Sequence, residues 1–278
     1  RKAAAVMDEA VVEDTVETVE TEASEGCVCS EAEDAAEGEA SGACVAPRVD
    51  HARAVAGEQA TTTRADAVAT AAKEIGCSGK TCDVTDESQV AALVNETIAE
   101  HGKIDLFCSN AGAGGAGLLT DAKNEVWQMQ WELHVMSHLY AARAVLPSMI
   151  ERGEGYLLNT ASAAGLLAAI GTGPYTVTKA AAVKMAEFLS ITHADDGIKV
   201  SVLCPQGVNT AMAPRSLGDG QTDGIIEPEQ LAQCVVDTIR EERFYALPHP
   251  EVEEYVRRKG DNIDRWLLGM QRLRKRSV

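Results

Sequence analysis

Tyr175-Thr176-Val177-Thr178-Lys179 places a phenol and an ammonium four residues apart. On a helix that spacing puts both side chains on one face. A free phenol titrates near ~10 and is a poor proton shuttle at neutral pH. A nearby ammonium favours the phenolate, lowers that pKa and makes the tyrosine a usable general base. The same spacing also describes an ordinary surface pair. Ser162 lies earlier, just past an apolar run. There it is placed to hydrogen-bond the oxygen that Tyr175 protonates or deprotonates. In Ala161-Ser162-Ala163-Ala164-Gly165 it equally reads as a turn former.

Three more stretches carry usable groups. Asn110-Ala111-Gly112 follows an apolar run and makes a tight turn whose small residues admit a flat ligand. Asp83, with Val84 beside it, is positioned to accept from an adenine amino group or to cap a helix. Pro205-Gln206-Gly207-Val208-Asn209-Thr210 is a rigid turn. Its backbone groups and the Thr210 hydroxyl are suited to holding an amide.

These residues need elements to position them. The periodicity predicts helices over 64–75, 86–100, 124–146, 174–193 and 228–242, and a C-terminal helix. Val90, Leu93, Val94 and Thr97 share one face of the second, and Pro147 is expected to end the third. Strands are expected at 80–84, 104–109, 156–160, 198–203 and 244–247. Alternating strands and helices of this length predict an α/β fold, a Rossmann-like doubly wound parallel sheet with helices on both faces. Ligands of such sheets bind outside the carboxyl ends of the strands, where every stretch named above falls.

Composition narrows the function. The 278 residues carry a formal charge of −18, with 25 basic and 43 acidic groups. Nucleic-acid binders carry basic footprints, so no nucleic-acid partner is expected. No run of 18 apolar residues marks a membrane span. Arg1 to Glu9 lacks the apolar stretch of a secretory signal, so the expected location is cytoplasmic. The eight cysteines are scattered and read as reduced thiols. Cys27 and Cys29 lack ligand partners at a metal spacing, and no metal is expected.

Together, Asn110-Ala111-Gly112, Ser162, Tyr175 with Lys179, and the Pro205–Thr210 turn resemble the classical short-chain dehydrogenase/reductase family, in its order and spacing. The resemblance covers roughly residues 64–278. It implies Ser162, Tyr175 and Lys179 as catalytic residues. Tyr175 would be the acid/base, Ser162 would polarise the substrate carbonyl, and Lys179 would bind the nicotinamide ribose and lower the Tyr175 pKa. It implies NAD or NADP as cofactor, with Asp83 and Val84 flanking the adenine. Asn110, Ala111 and Gly112 would line the dinucleotide, and Pro205, Gly207, Val208 and Thr210 would hold the carboxamide. The reaction would be reversible hydride transfer with an alcohol/ketone pair. Leu166, Leu167 and Ile170 suggest an apolar secondary alcohol as substrate. The family also implies a homodimer or homotetramer packed through helices 124–146 and 174–193. The alternative is a non-catalytic binding or scaffold protein that keeps the fold without the cofactor.

Two departures stand out. His134 occupies the position of the family's usual Asn. A role of its main-chain carbonyl in holding a relay water survives that change, and a side-chain role does not. His134 and His138 are four apart, but no third metal ligand accompanies them. The family's opening strand and glycine-rich turn also lack a clean copy. The nearest match, Gly38-Glu39-Ala40-Ser41-Gly42-Ala43-Cys44, has Cys44 where a third Gly belongs. Residues 1–60 carry 15 acidic and 4 basic groups and show no sustained period. Disorder is the default for such a segment. Residues 1–63 are therefore read as divergent, as a tail replacing the first βαβ unit, or as translated in a wrong frame.

Overall fold

In the computed structural model, residues 78–115, 117–210 and 223–277 are described, with 68, 69, 72 and 73. The acidic segment 1–63, its Gly38–Cys44 turn and residues 211–222 lie outside the described residues.

Helix α1 spans Glu87–His101. The Asp86 carboxylate accepts the Ser88 N–H at 2.9 Å and starts it. Gly102, at φ 87°, ends it by donating its N–H to Ile98 O. Val90, Leu93 and Val94 form its buried face. Strand β1 is Leu106–Ser109. One long rod follows: α2 (Asn124–Trp131), a π-helical turn (Glu132–Met136) and α3 (Ser137–Arg152). Pro147 lies inside α3 and does not end it. A proline forfeits one backbone bond, and here the helix runs on for another turn until Gly153 adopts the left-handed cap.

Strand β2 is Gly155–Thr160, followed by the short helix α4 (Ala163–Leu167) and α5 (Gly173–Thr192). Strand β3 is Ile198–Leu203, α6 is Pro228–Arg240 and β4 is Tyr245–Ala246. The chain closes with α7 (Glu251–Asp261) and α8 (Ile263–Ser277), two helices where one was expected.

The four strands are parallel, in the order β1-β2-β3-β4. Strand side chains alternate between faces, and two hydrophobic clusters follow that alternation. Phe107, Leu157, Val200 and Val202 face α1, α3 and α5. Leu106, Cys108, Leu158 and Leu203 face Leu231 and Val235 of α6. Helices thus cover both faces. Ala141, Ala142, Ala182 and Ala186 let α3 and α5 approach the first face closely. Close approach through small side chains suits a chain with only 4% aromatic residues.

The strand expected at 80–84 does not form among the described residues: 78–83 pair with no strand, and Val84 begins a turn. A strand exists only beside a neighbour, and none of the described strands pairs with it. The segment is instead held by local bonds. Asp83 Oδ1 accepts from Thr85 N at 2.9 Å and from Thr85 Oγ1 at 2.7 Å. No helix among the described residues is long and apolar enough to cross a membrane.

Candidate active site

Strands β1, β2 and β3 deliver three loops to one edge of the sheet. Ser162 follows β2 and caps α4, its hydroxyl accepting the Ala164 N–H at 3.2 Å. It faces the turn after β3, whose Pro205 carbonyl accepts the Ala163 N–H at 2.9 Å. Gly165 allows α4 to press on α5. A Cβ there would sit 2.6 Å from the Lys179 carbonyl oxygen.

Tyr175 and Lys179 lie on the first turns of α5, and the Lys179 ammonium sits 5.9 Å from the centre of the Tyr175 ring. Lys179 is 3% exposed and donates to the Thr160 carbonyl at 2.9 Å. Burial without a carboxylate partner pulls its pKa down to about 8. It is the one charged side chain in the buried set among the described residues. The loop after β1 meets the same point. A Cβ on Gly112 would lie 3.2 Å from Lys179 Nζ and 3.5 Å from His134 Nε2. Thr160 Oγ1 donates to Asn110 Oδ1 at 2.8 Å and joins the β1 and β2 ends.

The expected lowering of the Tyr175 pKa by Lys179 is not what the protein alone produces. Burial raises it, and the hydrogen bond with Ser162 acts against that rise. The ammonium is turned to Thr160, and desolvation is the largest influence on the phenol. Tyr175 is therefore a phenol at neutral pH, set to donate a proton.

His134 carries the second correction. Its side chain keeps a role: Nε2 accepts the Ala113 N–H at 3.1 Å, and Nδ1 lies 3.0 Å from Thr178 Oγ1. Both ring nitrogens are engaged within the protein, which leaves neither for a metal. No chance of reading this existed in the sequence, because the contact joins residues 21 and 44 positions apart.

The remaining expected residues fall into two places. Val84, Asn110 and Ala111 line one small apolar crevice, with Leu93 and Ala141. Asp83 is spent partly on the Thr85 turn and shares no described contact with Ser162 or Tyr175. Gly207 and Asn209 bracket Val208 in a short parallel bridge, Ile226 N donating to Gly207 O and Asn209 N to Ile226 O. In such a bridge the central residue's own N–H and C=O point the other way. Thr210 is half-buried at the end of this turn.

This donor set fits a dinucleotide. The ammonium of Lys179 has three hydrogens and one backbone acceptor, which suits ribose hydroxyls. The small residues Ala111, Gly112 and Ala113 permit close approach, and Val84 and Asn110 lie beside them along one apolar crevice. The glycine-rich candidate for the phosphates lies outside the described residues.

Residues 42–219 match the short chain dehydrogenase family. The chain is 31% identical over 239 residues to 1-deoxy-11-beta-hydroxypentalenate dehydrogenase of Streptomyces exfoliatus, covering 81% of this chain and 86% of that one. It is 34% identical over 133 residues to 2-(R)-hydroxypropyl-CoM dehydrogenase of Xanthobacter autotrophicus, where the match spans 47% of this chain and about half, 53%, of the relative. A short chain dehydrogenase/reductase from Burkholderia phymatum, solved in complex with NAD, superposes with a TM-score of 0.64 at 26% identity, covering 72% of this chain and 83% of that one. A family match over more than half the chain, and a relative aligned over most of both lengths, meet on a parallel sheet with a tyrosine and a lysine at its working edge: the chain belongs to the short-chain dehydrogenase family.

Proposed function

We propose that the chain is an NAD- or NADP-dependent oxidoreductase interconverting an apolar secondary alcohol and its ketone. The carrying observation is the meeting of Ser162, Tyr175 and Lys179 at adjoining strand ends, with Lys179 anchored on Thr160. When bound, the nicotinamide supplies the hydride donor or acceptor.

The protein's own residues handle the oxygen. Ser162 donates to the substrate oxygen and holds it beside Tyr175. In reduction, the Tyr175 hydroxyl passes its proton to that oxygen as the carbon receives hydride. In oxidation, Tyr175 takes the proton back. Burial holds the Tyr175 pKa up, so the phenol that donates in reduction is the form present at neutral pH. Lys179, held on the Thr160 carbonyl, orients the ribose. The backbone N–H and C=O of Val208, directed away from the bridge to Ile226, and the neighbouring Thr210 would hold the carboxamide. Asp83 and Val84 bound the adenine cleft. Leu166, Leu167 and Ile170 form the apolar substrate wall, and Lys259 of α7 fixes that wall by donating to the Leu166 carbonyl.

The chain also self-associates in this reading. Helix α5 leaves Phe188 66% and Ile191 72% exposed, a stripe that a second copy would cover.

Titration of the full chain with NADH, and separately NADPH, followed by fluorescence, tests the cofactor assignment. Saturable binding of one or both is expected. A folded chain that binds neither removes the enzyme reading and leaves a scaffold protein.

A further inference from the structure

His134 lies wholly inside the molecule, in the middle of the π-helical turn. Such turns insert an extra residue and re-aim side chains, often at functional sites. This one aims the imidazole between two working parts. On one side is the loop Asn110–Ala113, and on the other is α5, met at Thr178, between Tyr175 and Lys179. The His134 ring also stands edge-on to the Tyr175 ring, with centroids 5.5 Å apart.

The hydrogen bonds fix its chemical state. The Ala113 backbone N–H is a donor, so Nε2 must be a bare acceptor. The proton of a neutral ring then sits on Nδ1 and is donated to Thr178 Oγ1. Thr178 can accept it, because its own hydrogen goes to the Pro174 carbonyl at 3.0 Å or the Tyr175 carbonyl at 3.1 Å. The relay therefore runs in one direction, from Ala113 N–H through the imidazole and Thr178 to the backbone that carries Tyr175. Burial and the nearby Lys179 ammonium both oppose a charged ring.

We propose that His134 is a positioning residue that joins the cofactor loop to the catalytic helix through a neutral, Nδ1-protonated imidazole, its Nε2 bond holding the loop and its Nδ1 bond holding the Tyr175–Lys179 turn. This rests on the oxidoreductase reading of the same site. The two bonds have separable consequences. Freeing Ala113 loosens the loop that lines the dinucleotide. Freeing Thr178 loosens the proton donor.

Two conservative variants divide them. Asn carries its amide where His carries Nδ1, and Gln carries its amide where His carries Nε2. His134→Asn keeps the Thr178 bond and loses Ala113. It is expected to weaken NADH or NADPH binding about tenfold, about 1.4 kcal/mol, with kcat held within about threefold. His134→Gln keeps the Ala113 bond and loses Thr178. It is expected to lower kcat about tenfold with cofactor binding held within about threefold. Loss of both properties in step with the melting temperature, or change in neither, overturns the proposal. Two readouts need no turnover. Long-range proton–nitrogen spectra of the full chain should show Nδ1 protonated and Nε2 bare, and the Ala113 amide should exchange faster in His134→Asn but not in His134→Gln. A proton on Nε2, or equal exchange in both variants, refutes the bridge. If the wild-type chain binds neither dinucleotide, the enzyme reading fails by itself, and these two readouts still decide whether the bridge exists.

Discussion

Helices α5 and α6 lie on opposite faces of one sheet and follow opposite rules. Helix α6 opens with a reciprocal cap, the Glu227 side chain holding a first-turn N–H and Gln230 Oε1 accepting the Glu227 N–H at 3.0 Å. It buries Leu231 and Val235 against β3 and β4 and shows Glu229, Gln233 and Arg240 to solvent. Helix α5 has no side-chain cap. It buries Thr178 and Lys179 and exposes Val177, Phe188 and Ile191. One helix does what burial free energy dictates. The other hides an ammonium and displays large apolar groups. Departures of that kind mark the places where a sequence answers to something other than its own stability.

The sharpest way to separate the helices is to remove one atom from the first. Tyr175→Phe on α5 deletes the proton donor, and kcat is expected to fall about 10³-fold, within the range of general acid–base contributions. The melting temperature should hardly move, because the ring and its edge contact with His134 remain. Leu231→Ala on α6 is the converse. It empties a buried site against Leu203 and Val235, at an expected cost of about 2–5 kcal/mol in urea unfolding. Its kcat/KM should match the wild type while the protein stays folded. A Leu231→Ala protein that is folded but inactive would break the division between the helices.

Lys179 sharpens the contrast on the stability side. Its pKa falls from 10.5 to about 8 on folding. Below pH 8 both folded and unfolded chains hold the proton, and burying the charge costs the fold about 3 kcal/mol. Between pH 8 and 10.5 the folded chain releases the proton first, so the unfolded chain binds more protons and stability rises with pH. Lys179→Met removes this term. The stability of the wild type minus that of Lys179→Met is therefore expected to climb by about 3 kcal/mol across that window. The buried thiol of Cys82, pushed up to about 12, acts in the opposite sense in both proteins and cancels, while Cys204, which interacts with Lys179, contributes to the difference itself. A flat difference across the window would mean that Lys179 is better solvated than its 3% exposure implies.

The same contrast explains what was legible in the sequence. Helix α6 announces itself: Pro228 at its start and Leu231 and Val235 on one face are local signals with a period. Strands β2 and β3 and the placing of Ser162, Tyr175 and Lys179 at the sheet edge were legible for the same reason, since an apolar run and its following turn are local. The errors came where a distant partner decides. Lys80–Val84 has the composition of a strand, but strand formation depends on a neighbour. Pro147 reads as a stop, yet packing of Val145 and Met149 carries α3 past it. The π-helical turn has no composition cue in Glu132-Leu133-His134-Val135-Met136. For Tyr175, spacing on a helix gives proximity to Lys179 but no measure of the burial that raises its pKa in the chain alone.

The smallest expected effect on stability concerns the far end of α5. Phe188 and Ile191 are three residues apart, on one stripe of the helix, and Lys184 beside them is bound to Glu187 at 2.6 Å. In a lone chain these two side chains already face water, so Phe188→Glu should change monomer stability by no more than about 0.5 kcal/mol. If a second copy covers the stripe, the same substitution buries a carboxylate in an apolar contact, which is costly without a partner. Phe188→Glu is then expected to shift the chain to a smaller species in sedimentation velocity, with Tyr175 chemistry per folded site retained. Unchanged sedimentation would show that the exposed stripe is not where copies meet. Loss of turnover together with dissociation would show more: the ordering of Tyr175 and Lys179 at the start of α5 would then depend on packing of its far end against another molecule, and the inverted burial of this helix would serve the site directly.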